Sequence, residues 1–437
     1  MSTITGSHLE KLRSRLGGNL KQYSMLIALI CVMVIFGIRS EGRLFAPMNV
    51  SNIIFQNAYV IILAIGMLLC ILTGGNIDLS VGSVVGVIGA IAGRLIVTNK
   101  MDVYLAAAIC LAIGVAIGMW QGFWIAYVRI PPFIVTLAGM LVFRGLTLII
   151  LGGKTISPFP DEFKQYSTGF LPDLFGRMHI QIPEILGIKL NIDMTVNGLS
   201  LVAGLLMTAL FIAAQLYTYF SRRRKGYATG SLGALVFRLV IVSAVLITLF
   251  TVMGTYVNER MPAGVPTVLV LVGILLLFYT FFTTNTVMGR HLYAIGGNQK
   301  AARLSGVKTN AMMFFAYVNM ALMASIAGLV FAARLNSAAS DSGDGFELDA
   351  IAACFIGGAS AYGGIGTVGG TLIGALLMGI LNNGMSITGI PSSVQKVVKG
   401  LVLLVAVAFD VISKKQTALP TFRLPFKRKA KAEAVTL

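Results

Sequence analysis

Twelve apolar runs follow one another along the chain, at 24–40, 52–72, 78–98, 103–128, 132–152, 198–220, 233–256, 265–285, 311–333, 350–361, 367–387 and 394–412. Crossing the hydrocarbon of a bilayer takes about 20 apolar residues in a helix. Most of the runs have that length, so they predict membrane-spanning helices. The run at 350–361 is too short for a full crossing. It reads as a re-entrant piece or half of a broken helix, tolerated only inside protein or beside water. The expected fold is an all-α polytopic membrane protein of about 10–12 transmembrane or re-entrant helices, with Gly-rich broken helices and a weak internal repeat. An even number of crossings puts both ends on one side.

Three polar segments interrupt the pattern. Residues 154–197 form a long loop rich in Pro, Gly and acidic residues, with an amphipathic helix expected around Asp161–Tyr166. Residues 221–232, SRRRKGYATGSL, form a basic loop. Residues 288–310, MGRHLYAIGGNQKAARLSGVKTN, are basic and rich in Gly and Ala between two long apolar runs. There Gly296–Gly297 would turn the chain, Asn298 would cap a short helix and Gly306 would stop it. Its small face (Ala301, Ala302, Ser305) suits a groove of a partner, and a solvated basic loop is the bland alternative. The chain thus divides into a basic N-terminus (1–23), a membrane domain (24–412) and a basic tail (413–437) suited to anionic lipid.

Composition fits: 57% of residues are hydrophobic and 11% charged. The net charge of +18 could suggest nucleic acid. Its distribution argues otherwise. Lys and Arg gather on alternate inter-span segments (Lys11 to Lys21, Arg129, Arg222 to Lys225, Arg290 to Lys308, Lys414 to Lys431). Acids such as Asp161, Glu162, Asp341, Asp344, Glu347 and Asp349 fall on the other set. That bias places both termini in the cytoplasm. Arg43, Lys164, Arg177 and Lys189 depart from it. Residues 1–38 resemble a signal peptide but lack a small-residue cleavage site, so an uncleaved first span is expected.

Cys31, Cys70, Cys110 and Cys354 lie in or beside apolar runs, where packing is expected rather than disulfides. His8, His179 and His291 are scattered and form neither a metal-ligand spacing nor a nucleophile triad. GGKT at 152–155 resembles the tail of a phosphate loop, but Leu148 stands where that loop needs Gly. No enzyme site is expected, and no cofactor in this chain. Any ATP would be bound by a partner.

Two further motifs carry polar groups into apolar surroundings. In GGNIDLS (74–80), Asn76, Asp78 and Ser80 follow a Gly pair. Asp78 either caps the next helix or lines a path, and the two are compatible, since a bare carboxylate at mid-membrane is costly. GGNIDLSVGSVVG (74–86) echoes GGASAYGGIGTVGG (357–370), as a repeat around a central path or as a chance likeness of Gly-rich spans. In RIPPFIVTLAGMLVFRG (129–145), Pro131 and Pro132 suit a helix start, with Thr136 and Arg144 further along. Arg144 needs water, a carboxylate or a carbonyl, either as a structural contact or in a path. Buried carboxylates in several spans, the mark of an ion-coupled carrier, are not expected beyond Asp78.

GRHLYAIGGNQKAARLSGV (289–307) resembles the cytoplasmic coupling segment of sugar-uptake ABC permeases of the ribose, xylose and arabinose/galactose group. GGNIDLSVGSVVG, PPFIVTLAGMLVFRGL and FIGGASAYGGIGTVGGTLIGALLMGILNNGM (355–385) are similar to that group's other signatures, in the same order over most of 50–412. The longer 154–197 loop and the extra region 221–262 look more like the xylose or multiple-monosaccharide branch. The resemblance implies a permease homodimer in the bacterial inner membrane, docked by two cytoplasmic ABC ATPase subunits and fed by a periplasmic sugar-binding protein. It assigns Gly289, Arg290, Ala294, Gly296, Asn298, Ala301, Ala302 and Gly306 to a coupling segment spanning 286–310. Spacing and polarity add Asn76, Asp78, Ser80, Thr136, Asn382 and Asn383 as candidates for a path or gate. Related permeases for nucleosides or branched-chain amino acids stay open as alternatives, as does an ion-coupled secondary transporter.

Overall fold

The computed structural model describes residues 27–182, 192–227, 232–258 and 264–415, with Met25, Met261 and Pro262. Each apolar run is a helix. In chain order these are α1 (Ile27–Arg39), α2 (Pro47–Leu72), α3 (Val81–Ala92, extended by π-helical Gly93–Thr98), α4 (Val103–Phe123, extended by π-helical Trp124–Val128) and α5 (Pro132–Leu151). The outer loop adds α6 (Asp161–Thr168) and an antiparallel hairpin of β1 (Arg177–Ile182) and β2 (Ile192–Asn197). Then come α7 (Gly198–Arg224), α8 (Leu232–Thr255), α9 (Thr267–Asn285), α10 (Val287–Gly297), α11 (Gln299–Leu304), α12 (Thr309–Leu335), α13 (Phe346–Ile356), α14 (Val368–Ile387) and α15 (Ser392–Lys415).

Among the described residues nine helices are long and apolar enough to cross a membrane: α2, α3, α4, α5, α7, α8, α9, α12 and α14. Of the other three runs, α1 is shorter, α13 has 11 residues, and α15 carries Lys396, Lys399 and Asp410. The helix expected near Asp161–Tyr166 is α6; the hairpin beside it was not foreseen.

The bundle is built around α2. Its most apolar stretch is 83% buried, against 6% for α8. The α7–α8 pair therefore lies at the periphery, where apolar side chains meet lipid at no penalty. Close packing inside relies on small residues. Gly114, Gly118 and Gly122 form one stripe on α4, facing Ser325, Val318 and Phe314 of the antiparallel α12.

Two units share one form: a long helix, a non-helical break, then a helix starting inside the protein. In the first, α2 is followed by residues 73–80 and α3; in the second, α12 is followed by residues 336–345 and α13. The units run in opposite senses, and the starts of their second helices meet with the backbones of Gly82 and Gly343 in contact. α13 is the half-helix anticipated at 350–361, shifted toward the N-terminus. The two segments that echo one another in sequence also touch, with Gly74 against Gly363.

One end of the bundle gathers Met25 against Gly358, the C-terminus of α2, the 357–366 loop, and α10. α11 and the start of α12 sit with the α4–α5 turn at the same end. The opposite end holds α6 and the backbone bridges Ile156–Ala338 and Phe170–Pro266.

Candidate functional site

The 288–310 island folds as two short helices. The Thr286 hydroxyl accepts from the Gly289 amide at 3.0 Å and caps α10. Asn298, in extended conformation, accepts from the Ala301 amide at 3.0 Å and caps α11. Gly306, with φ +86°, ends it, a conformation that Gly adopts without a Cβ penalty. The cap and the stop lie where the sequence puts them. The turn does not. Gly296 and Gly297 form the last turn of α10, and the bend falls on Asn298.

Gly296 has a packing reason. A Cβ there would sit 2.0 Å from the Leu72 carbonyl oxygen and 2.1 Å from the Gly364 nitrogen. Both are backbone atoms that cannot rotate away. The Gly364 amide donates to the same Leu72 oxygen at 3.1 Å, and the Tyr293 hydroxyl donates to the Gly366 carbonyl at 2.8 Å. Leu292 and Ile295 are buried beneath α10. The helix is thereby fixed to the end of α2 and to the 357–366 loop.

The outer surface of the island is different from the face drawn from sequence. Ala301 and Ser305 are exposed, but Ala302 points into the core. Gly289 is buried as well, while Arg290, Ala294, Asn298 and Gly306 are exposed. Leu304 projects fully, 90% exposed, and was not singled out from sequence, since its apolar side chain reads as packing. Arg290, Lys300, Arg303 and Lys308 make the surface cationic.

The path candidates fall into two separate groups. Residues 73–80 hold the first. Asn76 donates back to the Thr73 carbonyl and hydroxyl at 3.3 and 3.1 Å. Asp78 accepts from the Ser80 amide and hydroxyl at 2.8 and 2.7 Å, and Gln121 of α4 donates to the Ser80 hydroxyl at 2.7 Å. α3 begins one residue after Ser80, so Asp78 shapes the turn into the helix and is not its formal cap. Gln121 is fully buried and completes this network; its signal in the sequence was a lone amide in an apolar run. Thr136 is buried on α5, its hydroxyl turned to the Phe133 carbonyl.

Asn382 and Asn383 make the second group. Asn383 exchanges hydrogen bonds with Asn49 at 2.9 and 3.0 Å and donates to Gln56 at 3.2 Å. Asn382 lies beside Asp349, which pairs with Lys399 at 2.9 Å. Nearby Lys396 pairs with Asp344 at 3.0 Å. The expectation that Asp78 is the one buried carboxylate is therefore corrected. The acids of 341–349 read as an outer loop, but this stretch dives into the bundle and leaves Asp349 1% exposed. Arg144 finds carbonyls, donating to Ser342 at 2.9 Å and Ser340 at 3.3 Å, and so pins the same stretch.

Residues 49–407 match the family of branched-chain amino acid transport system permease components. The chain belongs to this permease family. It is 36% identical over 399 residues to the xylose transport system permease protein of Escherichia coli K12, covering 91% of this chain and 94% of that one. The corresponding xylose protein of Haemophilus influenzae is 34% identical over 398 residues, 91% of this chain and 98% of that one. The ribose import permease protein of Escherichia coli K12 is 34% identical over 397 residues, 91% and 95% of the two chains. No solved structure matches the permease. Like these relatives it is a multi-pass membrane component of a transport system.

Proposed function

We propose that this permease is the membrane-spanning subunit of an ATP-binding-cassette importer for a monosaccharide, with xylose or a related pentose or hexose as the first candidates. What carries the reading is the likeness over nine-tenths of the chain to permeases of xylose and ribose systems. A homodimer of the chain forms the path in the bacterial inner membrane. A cytoplasmic ABC ATPase docks on α10–α11, and a periplasmic sugar-binding protein delivers the substrate at the opposite end. Met25 and the α15 residue Asp410 both touch the 357–366 loop beside α10, which supports cytoplasmic placement of both chain ends.

The mechanism follows from the attachment of α10. ATP-driven closure of the ATPase displaces α10–α11. Through Gly296 that displacement reaches the end of α2 and the 357–366 loop, and from there residues 73–80 with their Asp78–Ser80–Gln121 network. Packed breaks of this kind switch between discrete arrangements, so a small shift at the docking face opens or closes the path. Asn76, Asp78, Ser80 and Thr136 serve the moving break; Asn382 and Asn383 sit by the second one. The path needs little affinity, because the binding protein selects the sugar.

The test is reconstitution of the full chain in proteoliposomes with the ATPase and binding protein encoded beside it, measuring sugar uptake and sugar-stimulated ATP hydrolysis. Xylose uptake dependent on both partners is expected. The family's description also names branched-chain amino acids, so leucine is the competitor to include. Uptake of leucine in place of sugar, or uptake that persists without the ATPase on an ion gradient, overturns the proposal.

A further inference from the structure

A cleft of about 310 Å³ opens between the α4–α5 turn and α11. Arg129 enters it from the turn, Lys300 and Arg303 from α11, with Gln299 and Asn310 as neutral hydrogen-bonding groups. None of the cleft's lining residues is acidic. Among the described residues none of the three cations has an ion-pair partner. Three positive charges converging on one cavity repel one another unless an anion is present. Arg129 is also held at φ +67°, a left-handed conformation that is uncommon for a residue with a Cβ. Residues kept in such conformations cluster at ligand sites and switches.

We propose that this cleft binds the headgroup of an anionic phospholipid, its phosphate held by Arg129, Lys300 and Arg303. Two observations favour a lipid over an acidic protein segment. α4 ends and α5 begins at the cleft, so it lies at the level where a membrane interface must be. On the α4–α5 segment that rims it, close in the chain to lining residues, Trp124, Tyr127, Phe133 and Ile134 are exposed. Aromatic rings of this sort are enriched at the headgroup level. The exposed apolar surface of α4 and α5 continues from that rim and gives acyl chains a seat that a soluble anion would not use. Basic pockets between membrane helices on the cytoplasmic side are known seats for such headgroups. Because two of the cations stand on α11 and one on the α4–α5 turn, the bound headgroup bridges them and sets the angle of α11.

Native mass spectrometry of the full-length permease tests this. The delipidated protein is titrated with phosphatidylglycerol, with phosphatidylcholine of the same chains, and with glycerol phosphate. One phosphatidylglycerol is expected to be retained, preferred by roughly a hundredfold over phosphatidylcholine, as three basic side chains near an anionic headgroup imply. The Arg129→Gln/Lys300→Gln/Arg303→Gln variant should lose the preference. Arg222→Gln/Arg223→Gln/Arg224→Gln, at the end of α7, should keep it. If the triple variant does not purify as a monodisperse protein, Arg129→Gln alone is read for a smaller loss of the same preference. Undiminished preference in the folded pocket variant overturns the proposal, as does glycerol phosphate binding as tightly as the lipid. Loss of ATPase binding in that variant with lipid retention unchanged also overturns it and makes the cleft a protein contact.

Discussion

Two residues of the 288–310 island, Gly296 and Arg290, have opposite surroundings although the family likeness groups them together. A Cβ on Gly296 would meet backbone 2.0 Å away, so Gly296→Ala must push α10 off α2. Overpacking of this sort costs about 1–3 kcal/mol. The variant should melt earlier in detergent and lose ATP coupling as a consequence. Arg290 is exposed, and its guanidinium donates to the Asn285 carbonyl at 3.4 Å. Arg290→Glu should leave melting unchanged and lower sugar-stimulated ATP hydrolysis at least tenfold, as expected where a rim charge steers association. Equal hydrolysis by Arg290→Glu and wild type would remove α10 from the docking face. Ala302→Glu, which sequence would suggest as a docking probe, is unsuitable because Ala302 is buried and a charge there unfolds rather than undocks.

Lys399 and Asp349 show why the element scale decides what a residue means. The carboxylate is 1% exposed and the ammonium 23%, on α13 and α15 respectively. Removing one partner of such a pair costs about 3–5 kcal/mol by stranding the other charge. Lys399→Met should therefore destabilise the permease strongly. Lys399→Met/Asp349→Asn should recover much of the loss, as read by melting temperature; no recovery would mean that the pair is not the source. This pair was illegible in the sequence for a physical reason. The helices were legible because a bilayer demands about 20 apolar residues per crossing, and the chain supplies them run by run. A break that re-enters the protein has no such length rule. Acids in residues 341–349 look the same whether they sit in an outer loop or face Lys396 and Lys399. The caps at Thr286 and Asn298 and the stop at Gly306 follow local rules and could be placed, at least at Asn298 and Gly306. Which face of α11 turns inward depends on what α12 and the core offer, so Ala302 was misplaced while its neighbour Ala301 was not.

For the whole molecule the decisive relation is sidedness. The basic segments at 129, 222–225 and 290–308 all fall at the ends of helices that the fold alternates up and down. On the proposed function α11 and α6 lie on opposite sides of the bilayer, with α11 expected in the cytoplasm. Cys70, Cys110 and Cys354 are buried, so replacing exposed Cys31 with Ser leaves a background without accessible thiols among the described residues. On that background Ser305→Cys, on the α11 end, should react with a membrane-impermeant maleimide only after cells are opened. Tyr166→Cys, on α6 and 46% exposed, should react in intact spheroplasts. The reverse pattern would invert the permease and put α10–α11 out of reach of any cytoplasmic ATPase. It would also move the Arg129–Lys300–Arg303 cleft to the other leaflet. Labelling of both sites from one side would break the alternation itself, and with it the pairing of α2–α3 and α12–α13 as units of opposite sense. The expected pattern ties these together: the positive segments would hold α11 inside, and the attachment of α10 at Gly296 would hand any force applied there to the end of α2 and the break at 73–80 that follows it.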